Sequence, residues 1–181
     1  MTFFTIGHST RPFDEFLGLL RAHAITQLAD VRTIPRSRRY PQYSIGALAA
    51  ALSEAGVTYR HFPALGGLRK PRADSINTGW RNASFRGYAD YMQSAEFEEA
   101  LDRLVAFGGH APGGPESVER RTVMMCAEAV WWQCHRQLVA DALTARGLSV
   151  KHITSQAPAA LHSVTDFARV DGRRVTYPGL L

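Results

Sequence analysis

Two cysteines among 181 residues are too few to staple a fold. A disulfide-built scaffold is excluded, and a reduced, cytoplasmic setting is the expectation. No apolar run approaches the roughly 18 residues of a membrane-spanning helix, which excludes a helical membrane protein. The start, Met1-Thr2-Phe3-Phe4-Thr5-Ile6, has neither a basic region nor a long apolar stretch behind it, so no secretory leader is expected. Internal repeats and low-complexity segments are absent. Lysine is scarce, since 19 of the 21 basic residues are Arg. Acidic residues are scarce in one place. Between Val31 and Ala89 only Glu54 and Asp74 face ten basic residues, so that segment carries +8 and the rest of the chain −3, within a net charge of +5. Such asymmetry points to one face that meets something anionic, an anionic small molecule or a nucleic acid.

What is present is globular. Apolar residues make up 45% and charged residues 20%, and the length suits one domain, 1–181, with a basic, loop-rich segment over 31–89. Thr2–Ile6 reads as a strand ending in Gly7-His8-Ser9. Pro12 suits a helix start, and Phe13, Phe16, Leu17 and Leu20 keep helical spacing. Ile25–Ala29 is a second strand, ending at Asp30-Val31-Arg32, and a basic, proline-punctuated loop runs from Thr33 to Tyr43. Ser44 caps a helix that Gly56 stops. Val57–Phe62 is a third strand, and the loop from Pro63 to Ala83 is long enough to suggest a task. Helical patterning runs from Phe85 to Phe107, broken near Ser94, before a Gly/Pro linker over Gly108–Pro115. Thr122–Met125 is a buried-type strand ending at Cys126-Ala127-Glu128. A helix follows from about Cys134 to Arg146 with Gly147 as its stop, then a fifth strand, Leu148–Ile153. Asp171-Gly172 is the turn of a hairpin within 163–177.

This alternation predicts an α/β three-layer sandwich, a mainly parallel sheet of about five strands with helices on both faces. Ligands of such sheets bind beyond the carboxyl ends of the strands. His8 and Ser9, Asp30 and Arg32, Gly66 and Gly67, and Cys126 and Glu128 all follow strand ends, so the fold should gather them at one edge. Asp30 should be ionised and paired, orienting Arg32. Tyr88, Tyr91, Trp80 and Phe85 read as core packing on or before a helix.

The densest reactive cluster is Cys126-Ala127-Glu128 with Cys134-His135-Arg136. A strand-end Cys126 near a helix N-terminus and Arg136 should be partly thiolate, while desolvation by Trp131 and Trp132 works against it. Cys134 is the natural second thiol, and a reversible disulfide between the two is open. Cys126, Cys134 and His135 are acceptable zinc ligands, but their spacing matches no CxxC-type pair, so no metal is assigned. The phosphatase loop C-x5-R fails because Trp132 stands where its Arg belongs.

Together, Thr5-Ile6-Gly7-His8-Ser9, Asp30-Val31-Arg32-Thr33-Ile34-Pro35-Arg36-Ser37, Tyr59-Arg60-His61-Phe62-Pro63-Ala64-Leu65-Gly66-Gly67, Met125-Cys126-Ala127-Glu128, Cys134-His135-Arg136 and His152-Ile153 resemble the family catalogued as domain of unknown function 488. The linker Ala129-Val130-Trp131-Trp132-Gln133 is more apolar than that pattern. The resemblance implies a compact α/β domain and brings no established activity or cofactor.

Three functional classes remain. The leading one is an enzyme on an anionic substrate, a nucleotide, a nucleic-acid end or a phosphorylated metabolite. Cys126 and Glu128 would be its reactive pair, with Asp30 and His8 beside them. Arg32, Arg36, Arg39, Gly66, Gly67 and Arg136 would hold the anion. The others are a non-catalytic nucleic-acid-binding module on the Arg-rich face, and a protein with a Cys/His metal site.

Overall fold

The computed structural model describes residues 1–36, 38–109 and 120–179. The strands are β1 (Thr2–Gly7), β2 (Gln27–Asp30), β3 (Thr58–His61), β4 (Thr122–Cys126), β5 (Ser149–His152), β6 (Ala160–Leu161), β7 (Arg169–Asp171) and β8 (Arg174–Thr176). The helices are α1 (Phe13–Ala22), α2 (Ile45–Glu54), α3 (Ala83–Tyr91), α4 (Ala95–Gly108) and α5 (Arg136–Ala145). A six-stranded sheet runs in the order β3-β2-β4-β1-β5-β6, parallel through its first five strands. The antiparallel edge strand β6 was not anticipated; its two residues carry no periodic signal. β7 and β8 form the expected hairpin. Part of the expected Gly/Pro linker, from 110 onward, lies outside the described residues.

The central strands are buried on both faces, as parallel sheets are. Phe3, Ala29, Met124 and Val150 pack with α3, α4 and α5. Phe4, Ile6, Leu28, Val123 and Met125 pack with α1 and α2. The two cores flank the sheet, giving the three-layer α/β sandwich. Truncating a side chain such as Leu28, fully buried, would cost about 2–5 kcal/mol.

The helix boundaries follow local chemistry. The Ser94 hydroxyl accepts from the Phe97 N–H and starts α4, which is why the helical pattern breaks there. α5 begins two residues later than expected, because Trp131–Gln133 forms a 3-10 turn and Cys134 is extended. Among the described residues no helix is long and apolar enough to cross a membrane.

The long segment after β3 is tied down along its length. The buried carboxylate of Asp90 accepts from the Arg72 N–H at 2.8 Å, the Ser75 hydroxyl at 2.6 Å and the Asn77 amide at 2.8 Å. The Tyr88 and Tyr91 hydroxyls donate to the Leu65 and Ala64 carbonyls. Arg69 lies 3.6 Å over the Tyr91 ring and donates to the Ala64 carbonyl. The segment is therefore fixed in place, and it holds Gly66, Gly67 and Leu68 against the sheet edge.

Candidate functional site

Register brings the site together. Gly7 pairs with Cys126 across β1 and β4, and Asp30 pairs with Met125 on one side and His61 on the other. The ladder continues past the strand ends, with the His8 N–H on the Cys126 carbonyl at 3.0 Å and the Ser9 N–H on the Ala127 carbonyl at 2.9 Å. His8, Asp30 and Cys126 thus share one edge of the sheet. Gly7 is required there: a β-carbon would overlap the Glu128 carbonyl, which crosses over it.

Asp30 is fully buried and holds Arg32 in a fork, Nε to Oδ1 at 2.8 Å and NH2 to Oδ2 at 2.6 Å. The Tyr59 hydroxyl donates to the same carboxylate at 2.8 Å. Arg32 NH1 donates to His8 Nε2 at 3.2 Å, while His8 Nδ1 donates to the Ser9 carbonyl at 2.9 Å. Burial lowers the His8 pKa to about 4, against a smaller raising effect of the Ser9 bond, so the ring is neutral. It stacks on Tyr43 at 4.1 Å. Asp30 orients Arg32, as expected, and also cancels its charge. The Nε2 lone pair of His8 is taken by Arg32.

A cleft of about 310 Å³ opens over β4, lined by Arg32, Gly67, Cys126, Glu128, Cys134 and His135, and at its mouth by Ile34, Leu68 and Phe85. An adjoining recess of about 300 Å³ is lined by His8, Ser9, Arg36 and Tyr40, and shares Arg32, Ile34 and Ala127 with the cleft. Gly66 does not line the cleft and packs on Thr33. Arg39 lines neither hollow; its guanidinium sits over the Tyr40 ring at 5.5 Å.

The sulfurs of Cys126 and Cys134 and a ring nitrogen of His135 lie within 4.8 Å of one another, and both thiols are free. Arg136 is 1% exposed. Its Nε donates to Cys134 Sγ at 3.3 Å and its NH2 to the Glu128 carbonyl at 2.6 Å. No carboxylate among the described residues pairs with it. A buried guanidinium needs an anion, and the group within reach is the Cys134 sulfur. His135 Nδ1 faces the same sulfur at 3.6 Å, while Nε2 donates to the Val31 carbonyl at 3.1 Å. Tyr88 and Gly67 hold the ring, and a β-carbon at Gly67 would overlap Nδ1.

These contacts correct the expectation for Cys126. Its hydrogen bond with Cys134, and then burial, push its thiol well above the usual range. Burial would raise Cys134 too, but the bond from Cys126 and the neighbouring His135 and Arg136 outweigh it and hold that thiol well below. The positive partners sit on the second cysteine. The tryptophans do not cover Cys126 as expected: Trp132 is 51% exposed, and Trp131 stacks on His152 at 3.9 Å.

Sequence reading missed three other features. Phe85 packs against the core, as read, and also lines the cleft. Tyr43 and Tyr59 brace His8 and Asp30. Behind Trp131 a buried chain runs from Thr5 through His152 and His162 to Asp141, where Thr165 and Tyr177 also donate. Burial first, and then His162, lowers the His152 pKa to about 3.

Among the described residues, Cys126, Cys134 and His135 also form the group that could hold a metal ion. Two sulfurs and one imidazole are the donor types that zinc takes, and all three residues line the cleft.

A family model described as "Domain of unknown function DUF488" matches residues 12–143. No curated protein and no solved structure matches the chain.

Proposed function

The chain belongs to the DUF488 family, and from that premise, which brings no activity with it, we propose an enzyme that acts on an anionic substrate through a Cys134 thiolate. One observation carries the reading: the buried Arg136 guanidinium, lacking a carboxylate, is set against Cys134 Sγ at 3.3 Å. A thiolate is the nucleophilic form of cysteine, and a cationic partner keeps it populated at neutral pH. Sγ would form a bond to the electrophilic atom of the substrate while the leaving group departs with the bonding electron pair. The Cys126 thiol, hydrogen-bonded to Cys134, supplies the proton that the leaving group takes. Glu128, exposed on the cleft wall, is the carboxylate available to take a proton from the water that releases the product. Arg36 faces the adjoining recess as the anion contact, and Arg32, held by Asp30, forms the wall shared by recess and cleft. Glu128 stays in the reactive set, while the nucleophile expected at Cys126 moves to Cys134 and Cys126 becomes its thiol partner.

The test compares alkylation of Cys134 by iodoacetate and by iodoacetamide at low salt. The anionic reagent should be favoured relative to its ratio on free cysteine, and Arg36→Ala should reduce that preference. An unchanged ratio, or slow labelling by both reagents, would overturn the reading.

A second reading is favoured by the 4.8 Å convergence of the two sulfurs with the His135 nitrogen. The His135 Nε2–H on the Val31 carbonyl is the outer contact that fixes a metal-bound imidazole. One zinc per chain in protein purified without chelator, with both thiols protected from alkylation until the metal is stripped, would favour this reading over the nucleophile.

A further inference from the structure

Charge and apolar surface are divided around the cleft in an unusual way. The inner cations are already engaged: Arg32 on the cleft wall by Asp30, and the buried Arg136 by Cys134. The mouth is apolar. Ile34 is 62% and Leu68 75% exposed, and the half-buried Phe85 lines the cleft with them. The free positive charge lies outside the mouth. Arg36, Arg38 and Arg39 are exposed on the loop that carries Ile34. Lys70 and Arg81 are exposed on the segments that carry Leu68 and Phe85. None of the five forms an ion pair among the described residues. The nearby acid Asp74 is taken by Arg72.

A small anion at the floor is drawn only by the field of the outer arginines, because the guanidiniums there are already paired. A ligand that fits must carry its negative charges along both banks and put a planar, weakly charged unit between Ile34, Leu68 and Phe85. We propose that the ligand of this cleft is single-stranded nucleic acid, its phosphates on the two basic banks and one unstacked base in the mouth. This rests on the reading of the cleft as an anionic-substrate site and names the class of substrate. Aromatic and apolar side chains accept an unstacked base of any identity, while the banks neutralise the backbone. A duplex keeps its bases stacked and gains only from the banks. Glu128, an acceptor at the wall, suits an exocyclic amino group better than a phosphate. The adjoining recess with Arg36 and Tyr40 gives the strand a path off the cleft.

The experiment is fluorescence anisotropy of the full chain with a labelled single-stranded oligonucleotide of about ten nucleotides, as DNA and as RNA, against the duplex of the same sequence. The single strand should bind more tightly than the duplex. Affinity should fall steeply with salt, each lost phosphate contact flattening the log–log slope by about 0.7. Replacing Arg36, Arg38 and Arg39 together with Ala should flatten it by about 2. Phe85→Ala should weaken single-strand binding about tenfold or more and leave the slope alone. The reactivity of Cys134 toward iodoacetamide is read separately on the same protein. Binding with no reactive thiolate would therefore refute the chemistry and spare this proposal, and a reactive thiolate without binding would do the reverse. Equal affinity for the duplex, no effect of Phe85→Ala, or equal competition by a mononucleotide would overturn the single-strand assignment.

Discussion

Replacing Arg136 with Met keeps much of the apolar stem and removes the charge beside Cys134. The guanidinium lies 3.3 Å from the sulfur. At an effective dielectric of about 20, a unit charge at that distance interacts by about 5 kcal/mol, before the cost of burying the guanidinium is counted. An opposite charge this close typically moves a pKa enough to change the ionised fraction at least about tenfold, or about 1.4 kcal/mol. The Cys134 thiolate should therefore decline by at least that factor at neutral pH. Stability should also drop by about 1–3 kcal/mol, because the Glu128 carbonyl loses its 2.6 Å partner. The assay is the ultraviolet absorbance of the thiolate across a pH series, in a Cys126→Ser background where the serine hydroxyl still donates to Cys134. Arg136→Lys keeps the charge without the fork and should recover part of the signal. An unchanged titration in folded Arg136→Met, judged by circular dichroism, would refute the pairing of guanidinium and thiolate.

Asp30→Asn would leave Arg32 buried with a neutral partner and should cost about 3–5 kcal/mol in urea unfolding; a loss below about 1 kcal/mol would show that the pair is solvated. Gly67→Ala drives a β-carbon into His135 Nδ1. It should slow alkylation of Cys134 with the melting temperature little changed, and an unchanged rate would show that the ring does not act on the thiol. His8 and His152, with pKa values near 4 and 3 through burial, stay neutral in the fold, whereas in the unfolded chain they protonate from about pH 6.5. The unfolded chain then binds more protons, so stability falls as pH drops from about 6.5 toward 4, by about 1.4 kcal/mol per pH unit for each ring. The two together amount to about 3–4 kcal/mol between pH 7 and pH 5. Urea unfolding at both values checks this, and His8→Asn should roughly halve the difference; an unchanged difference would mean that His8 does not contribute.

The fold was legible where local chemistry decides it. Pro12, Ser94 and Gly147 mark helix ends by capping and backbone geometry, and the apolar runs around Leu28 and Val123 mark strands buried on both faces. The gathering of His8, Asp30 and Cys126 followed from the rule that parallel strands end together. Tyr43 against His8, Tyr59 on Asp30, and His162 on Asp141 were not legible, because those partners are set by tertiary approach and leave no period in the chain. The ranking of the two thiols was a different kind of miss. Arg136 stands two residues from Cys134 and ten from Cys126, and an extended Cys134 before α5 turns its sulfur to that guanidinium. The proximity was visible in the sequence, but the 3-10 turn that makes it effective was not. Phe85 packs against the core, as its amphipathic helix implies, and its place in the first turn of α3 also brings it to the cleft.

The central claim is that Cys134, and not Cys126, is the thiolate of this cleft. Site-resolved mass spectrometry of iodoacetamide labelling, followed in one sample from about pH 6 to pH 9, tests it most directly, since an ordinary thiol has a pKa of roughly 8.5. The account predicts that Cys134 labels first and holds its rate well below that value, with Cys126 lagging throughout. Faster labelling of Cys126, or a Cys134 rate that appears only near the ordinary thiol pKa, would contradict it.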